Sequence, residues 1–167
     1  MELIEHGADV NIKNHDGYTA IDIILRQSSK DAINIAVKLI EHGADINTKN
    51  HNGDTALHLA LKHYNDNMTI TLIEHGADVN IKNHQGETAL HIVSQHRDQY
   101  ADNIAIKLIQ HGADPNIKNH KGETALHIVS QRHDIYAPKM AVTLMEHGAD
   151  MNIKNNSFFM IFSFVSY

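Results

Sequence analysis

Fifteen histidines and twenty Asp and Glu residues in 167 are the side chains here whose type could do chemistry. Imidazole can ligate a metal or move a proton near neutral pH. The histidines fall into four spaced classes. His6, His42, His75, His111 and His147 each precede Gly-Ala-Asp, and His15, His51, His84 and His120 each follow Asn. His58, His91 and His127 close Thr-Ala-Leu-His, and His63, His96 and His133 lie a few residues further on. A class that recurs once per stacked unit puts its members about 8–10 Å apart, the helix-packing distance. Zinc takes its ligands at ~2 Å from one ion. A histidine ladder therefore makes no metal site, and with no cysteine there is no thiolate ligand either. The histidines read as structural or solvated, with no metal and no cofactor.

Acid–base chemistry fares no better. General-base histidines need a nucleophile beside them, and no serine recurs next to these. Asp54, Glu87 and Glu123 occupy one equivalent position each, too far apart to act as an acid and base pair. They read as recognition residues or solvated charge. No Gly-rich phosphate loop is present. The chain reads as a non-enzyme.

The elements that carry these residues repeat. His-Gly-Ala-Asp starts at His6, His42, His75, His111 and His147, with spacings of 36, 33, 36 and 36 residues. Gly-x-Thr-Ala starts at Gly17, Gly53, Gly86 and Gly122, always 10 residues after the preceding Gly. Such a period indicates stacked repeats. Gly7 and its equivalents suit a helix C-cap, with the histidine before each facing the last carbonyls. The ten-residue link, rich in Asn, Asp and Gly, reads as a hairpin-like excursion. Thr19 then caps a short helix over Ala20–Arg26, with Asp22 completing a capping box. Ile35, Ala36, Leu39 and Ile40 form one apolar stripe of a second helix, as do Ile104, Ala105, Leu108 and Ile109. Pro138 fits the first turn of the fourth such helix. Neither helix is long enough to stand alone, so the units must stack.

Composition narrows the partners. A formal charge of −6 argues against nucleic acid, which needs a basic footprint. The longest apolar run, Phe158–Phe162, falls far short of the ~20 residues of a membrane span. Absence of cysteine fits a reducing compartment, and Met1-Glu2 opens no signal peptide. The expectation is an intracellular, cytoplasmic protein.

The repeated Gly-x-Thr-Ala-Leu-His and Gly-Ala-Asp-Val-Asn resemble the signature of the ankyrin-repeat family, from Leu3 to Lys154. The resemblance implies an all-α fold: an ankyrin-repeat solenoid of stacked helix-turn-helix units with hairpin-like finger loops. The array covers residues 1–154, as a partial repeat 1–13 and full repeats 14–48, 50–81, 83–117 and 119–153. Three of the four are three residues longer than the family norm, with the insert between or at the ends of the two helices. The family's usual Gly in that loop is replaced by segments such as Gln95–Asp102.

The resemblance also implies a protein-binding module. Positions that vary while the frame holds line the family's concave surface. At the tips they are Asp16, Asn52, Gln85 and Lys121, and beside the turn Gly they are Tyr18, Asp54, Glu87 and Glu123. At the end of the first helix they are Arg26, Lys62, Gln95 and Gln131, then Gln27, His63, His96 and Arg132. The Thr-x-x-His histidines resemble the family's buried ones, which bond the Thr hydroxyl and nearby backbone. Asn47, Asn80, Asn116 and Asn152 sit eight residues after Leu and two after Asp, as in substrates of the family's asparaginyl hydroxylase. The Asn- and Ile-rich units are similar to arrays of large DNA viruses and intracellular parasites, which implies a host protein as partner, met in the host cytoplasm.

Residues 155–167 break the pattern. All four phenylalanines lie here, where a fifth Gly-x-Thr-Ala is due. The expectation is a loosely docked hydrophobic tail that promotes self-association, beside a last repeat whose Leu126, Val129, Leu144 and Met145 lack a following unit. A rival reading takes the chain as a fragment or decayed copy of a longer array.

Overall fold

A computed structural model describes residues 7–27 and 29–156. The expected helix end at Met1–Glu5, with His6, and the tail with its expected self-association lie outside these residues. The chain divides into two compact units, the first ending at Asp78 and the second starting at Val79. The first holds α1 (Ala20–Ile24), α2 (Lys30–Glu41), α3 (Ala56–Lys62) and α4 (Asp66–Glu74). The second holds α5 (Ala89–Val93), α6 (Ala101–Gln110), α7 (Ala125–Ser130) and α8 (Ala137–Glu146). No strand occurs among the described residues. The architecture is the expected all-α one of stacked helix pairs. In each unit the first helices pack on each other, the second helices do likewise, and each pair is closed by its own contact.

The short helices start where the capping chemistry starts them. Thr19, Thr55, Thr88 and Thr124 are extended N-caps, and each closes a capping box with the residue three on. The first helix is shorter than expected, ending at Ile24 instead of Arg26. A bond from the Gln27 N–H to the Ile24 carbonyl tightens the chain into a turn there. The buried stripe of α2 is Ala32, Ala36 and Leu39, while Ile35 is 36% exposed. The stripe is thus rotated by part of a turn from the expected one, because Ala32 supplies its first residue. In α6 the expected Ile104, Ala105 and Leu108 are buried. Pro138 does lie in the first turn of α8. In the last repeat Leu126, Val129 and Leu144 are fully buried, against expectation, and Met145 is the partly exposed one. The packing of α7 on α5 and α8, and of α8 on α6, is where that face is spent.

The links between repeats are tied by side chains, not by a strand ladder. The Asn50 Oδ1 accepts the N–H groups of Asn52 and Asp54, and Asn14, Asn83 and Asn119 do the same in their copies. The turn glycine sits under the next tip. A Cβ built on Gly17 would lie 2.6 Å from the His51 ring, and one on Gly86 would lie 2.6 Å from the His120 ring. The tip histidines therefore stack on the preceding repeat within each unit.

The inter-helix loops differ in length, and their anchoring differs with it. In the short second repeat, Asn65 caps α4 and donates its amide to the Leu25 and Gln27 carbonyls of the first repeat. Tyr64 just before it takes the left-handed conformation, at φ 54°, where the family favours Gly. A side chain there costs on the order of 1–2 kcal/mol. The ring is largely exposed. Tyr64→Gly is therefore expected to stabilise the first unit by about 1 kcal/mol. A urea titration that shows a lower midpoint would mean that contacts of the ring outweigh the backbone cost.

Candidate functional site

The variable positions come in couples eight residues apart, one couple per repeat. The Arg26 guanidinium lies over the Tyr18 ring, 5.4 Å from its centre. The Lys62 ammonium meets both Asp54 carboxylate oxygens at 2.7 Å. Gln95 donates to Glu87 at 2.8 Å and Gln131 to Glu123 at 3.1 Å. One member follows the turn Gly and the other ends the first helix, so the tip is bridged to the helix each time. Sequence reasoning picks out these residues singly and misses the coupling. Its signal was the joint change of both members: Tyr with Arg, Asp with Lys, Glu with Gln.

In the second unit these residues converge. Gln85, Glu87, Gln95, Lys121, Glu123 and Gln131 line one groove, floored by Asn119 and Ile128. Its volume is about 340 Å³. Partial burial pushes the Glu123 carboxyl up, but hydrogen bonds from Asn119 and Gln131 and the Lys121 charge hold it below the usual range. Glu123 thus stays ionised, and its amide partners fix its direction. In the first unit Asp16, Tyr18 and Arg26 line a smaller cleft of about 270 Å³ with Asn14, Asp22 and Ile23. Asn52, Lys62, His63 and Gln27 are exposed in the same unit.

Three expected recognition residues are not on the surface. Asp54 is 2% exposed, closed over by the Lys62 stem. Being one carbon shorter than Glu87 and Glu123, its carboxylate stays against the helix. His96 and Arg132 are buried in the inter-helix loops of the second unit. The equivalent Gln27 and His63, in the first unit, stay outside. Arg132 donates to the Ser94 carbonyl of the preceding repeat and grips Asp134 through two parallel bonds of 2.8 and 2.7 Å. Those bonds hold the Asp134 carboxyl down at about 2. These three are anchors within the fold.

The histidines sort as their spacing implies. His42, His75, His111 and His147 each bond a carbonyl four residues back at the helix end. His58, His91 and His127 are buried, with Nδ1 2.8 Å from the Thr hydroxyl. Among the described residues no group of His, Asp and Glu is placed to hold a metal ion.

Asparagines before Ile or Thr staple repeats together. Asn80 donates to the Gly112 carbonyl and accepts the Asp114 N–H, and Asn116 does the same with Gly148 and Asp150. Asn47 accepts the Asp78 N–H. Among the described residues Asn152, in the last repeat, bonds within its own turn, to Asp150. The side-chain amides of the first three are thus committed to the next repeat's backbone.

Comparison with known proteins supports what this geometry suggests. The family profile "Ankyrin repeats (3 copies)" matches residues 28–119, and "Ankyrin repeat" matches residues 121–156. No curated protein matches the chain. Among solved structures, the crystal structure of EF0377, an ankyrin repeat protein, is similar with a TM-score of 0.84 at 26% identity. The similarity covers 97% of this chain and 81% of that one. The ankyrin repeat domain of Bcl-3, a member of the IkappaB protein family, gives a TM-score of 0.83 at 26% identity, over 97% of this chain and 69% of that one. Matched by the family profile over more than half its length, and sharing its fold with these two structures, the chain belongs to the ankyrin-repeat family.

Proposed function

We propose that the chain is an adaptor that binds another protein through its tips and first helices, with the groove of the second unit as the main contact. Ankyrin repeats are generally protein–protein interaction modules. The observation that carries the reading is the convergence of six varied side chains on one groove. Four of them are already held in Glu–Gln couples. Side chains fixed before binding lose less entropy on binding, which raises affinity without new contacts. The partner is a protein with donor groups facing Glu87 and Glu123, and a host protein inside the cell is the first place to look. No described helix is long and apolar enough to cross a membrane.

A photo-crosslinking residue at Gln95 is expected to capture one partner, and the same residue at the exposed Gln110, outside the groove, to capture none. Glu87→Lys with Glu123→Lys is expected to lower capture tenfold or more without moving the melting temperature. Equal capture from both positions would end the proposal. Hydroxylation at Asn47, Asn80, Asn116 and Asn152 belongs to the same proposal. Asn152, whose amide bonds Asp150 within its own turn, is expected to gain oxygen first when the protein is incubated with the hydroxylase and read by mass spectrometry.

A further inference from the structure

The inserted loops of the third and fourth repeats create a second pocket, away from the groove. Asp98, Gln99, Ala101 and Asp102 line it from one repeat, and Arg132, Tyr136, Lys139 and Met140 from the next. No residue lines both this pocket and the groove. Its volume is about 150 Å³. A cavity of that size holds one aromatic ring. Ala101 and Met140 are buried and give it apolar walls, and the Tyr136 ring adds a third.

The polar groups of the pocket are balanced except at one atom. Arg132 is satisfied by Asp134 and the Ser94 carbonyl. Asp98 accepts the N–H groups of Tyr100 and Ala101 and so starts α6. Asp102 meets the Lys139 ammonium through Oδ2 at 2.8 Å. Its Oδ1, on a carboxylate whose side chain is only 9% exposed, has no hydrogen-bond donor among the described residues. A buried acceptor left so is destabilising, and an incoming donor recovers that loss. With Asp102 opposed by Lys139 and Arg132 by Asp134, an extra full charge would meet one of like sign.

We propose that this pocket binds a neutral aromatic ring that carries one N–H or O–H donor, a phenol or an indole, with the donor on Asp102 Oδ1. The ring comes either from a small molecule or from a Tyr or Trp side chain of a bound protein. The site goes beyond the proposed partner groove and stands or falls separately from it.

Titration of the whole chain with phenol, indole and benzene, followed by amide NMR shifts, tests the site. Phenol and indole are expected to shift amides of residues 98–102 and 132–140, and benzene to bind at least tenfold more weakly. Gln99→Trp, at an exposed rim position, is expected to abolish these shifts while the spectrum elsewhere is unchanged. Asp102→Ala, which removes the acceptor, is expected to bring phenol down to the affinity of benzene. A short Tyr-containing peptide that binds more tightly than phenol assigns the ring to a protein partner, and one that binds no better assigns it to a small molecule. Equal affinity for phenol and benzene, shifts away from these segments, or no shift at millimolar phenol would overturn the proposal.

Discussion

Replacing Leu90 by Ala is expected to cost the second unit ~2–5 kcal/mol. Leu90 is 1% exposed in α5, and α5 packs on both α6 and α7. Its equivalents Leu57 and Leu126 are equally buried. Removing its branched end leaves a cavity that short helices fixed at their N-termini by capping boxes cannot close by sliding. Stacked repeats depend on nearest-neighbour contact for much of their stability, so the loss weakens the third repeat and its hold on the fourth together. The measurement is a urea titration of both proteins. Ile23→Ala, at a helix position 52% exposed, is the control and is expected to fall within about 0.5 kcal/mol of the parent. A Leu90→Ala midpoint that tracks the control would show that the apolar face of α5 is not the one that holds the stack.

That Leu90 could be picked out at all reflects how repeat proteins encode their fold. Periodicity gave the unit boundaries, because the same Gly, Thr and Asn roles recur at fixed offsets. The caps at Thr19, Thr55, Thr88 and Thr124 and the helix-end histidines followed from local chemistry within four residues. What pattern alone could not place was anything set by the loop between the helices. His63 and Arg132 share an aligned position, yet one is exposed and the other buried, because Asp134 and the Ser94 carbonyl draw the Arg132 guanidinium in. Asp54 and Glu123 also share a position, and one methylene decides which is buried against its partner. Ile35 fits the helical stripe of α2 by spacing, but Ala32 one turn earlier fills that face. The tip-to-helix couples were hidden for a related reason. Each spans tip and helix, and only the folded unit shows that residues eight apart meet.

The capping His91 makes stability depend on pH. Its Nδ1 accepts the Thr88 N–H at 3.1 Å, so the ring proton sits on Nε2, 3.0 Å from the Glu123 carbonyl of the next repeat. The neutral ring thus caps one helix and bridges two repeats. Burial pushes its pKa below the ordinary value of 6.5, and the Lys82 charge adds to that. The Glu123 carbonyl and the Glu87 charge oppose the shift without cancelling it. The folded chain therefore takes up this proton less readily than the unfolded chain. Above about pH 6.5 both states carry a neutral ring and the contribution to stability is complete. As the pH falls below that value the unfolded chain is protonated first, and stability declines until the folded ring titrates. Asp22, which fills the same capping position in the first repeat, has the opposite sign. Burial raises its carboxyl above 3.8, so its contribution grows as the pH falls through that raised value. The two are separated by substitution. His91→Ala leaves the Thr88 N–H without its acceptor and is expected to cost about 2–3 kcal/mol at pH 7.5. His91→Gln retains a capping side chain that cannot titrate in this range. Urea midpoints at pH 7.5 and 5.5 are expected to fall by less in His91→Gln than in the parent. Identical falls in the two proteins would show that the pH dependence arises at another group.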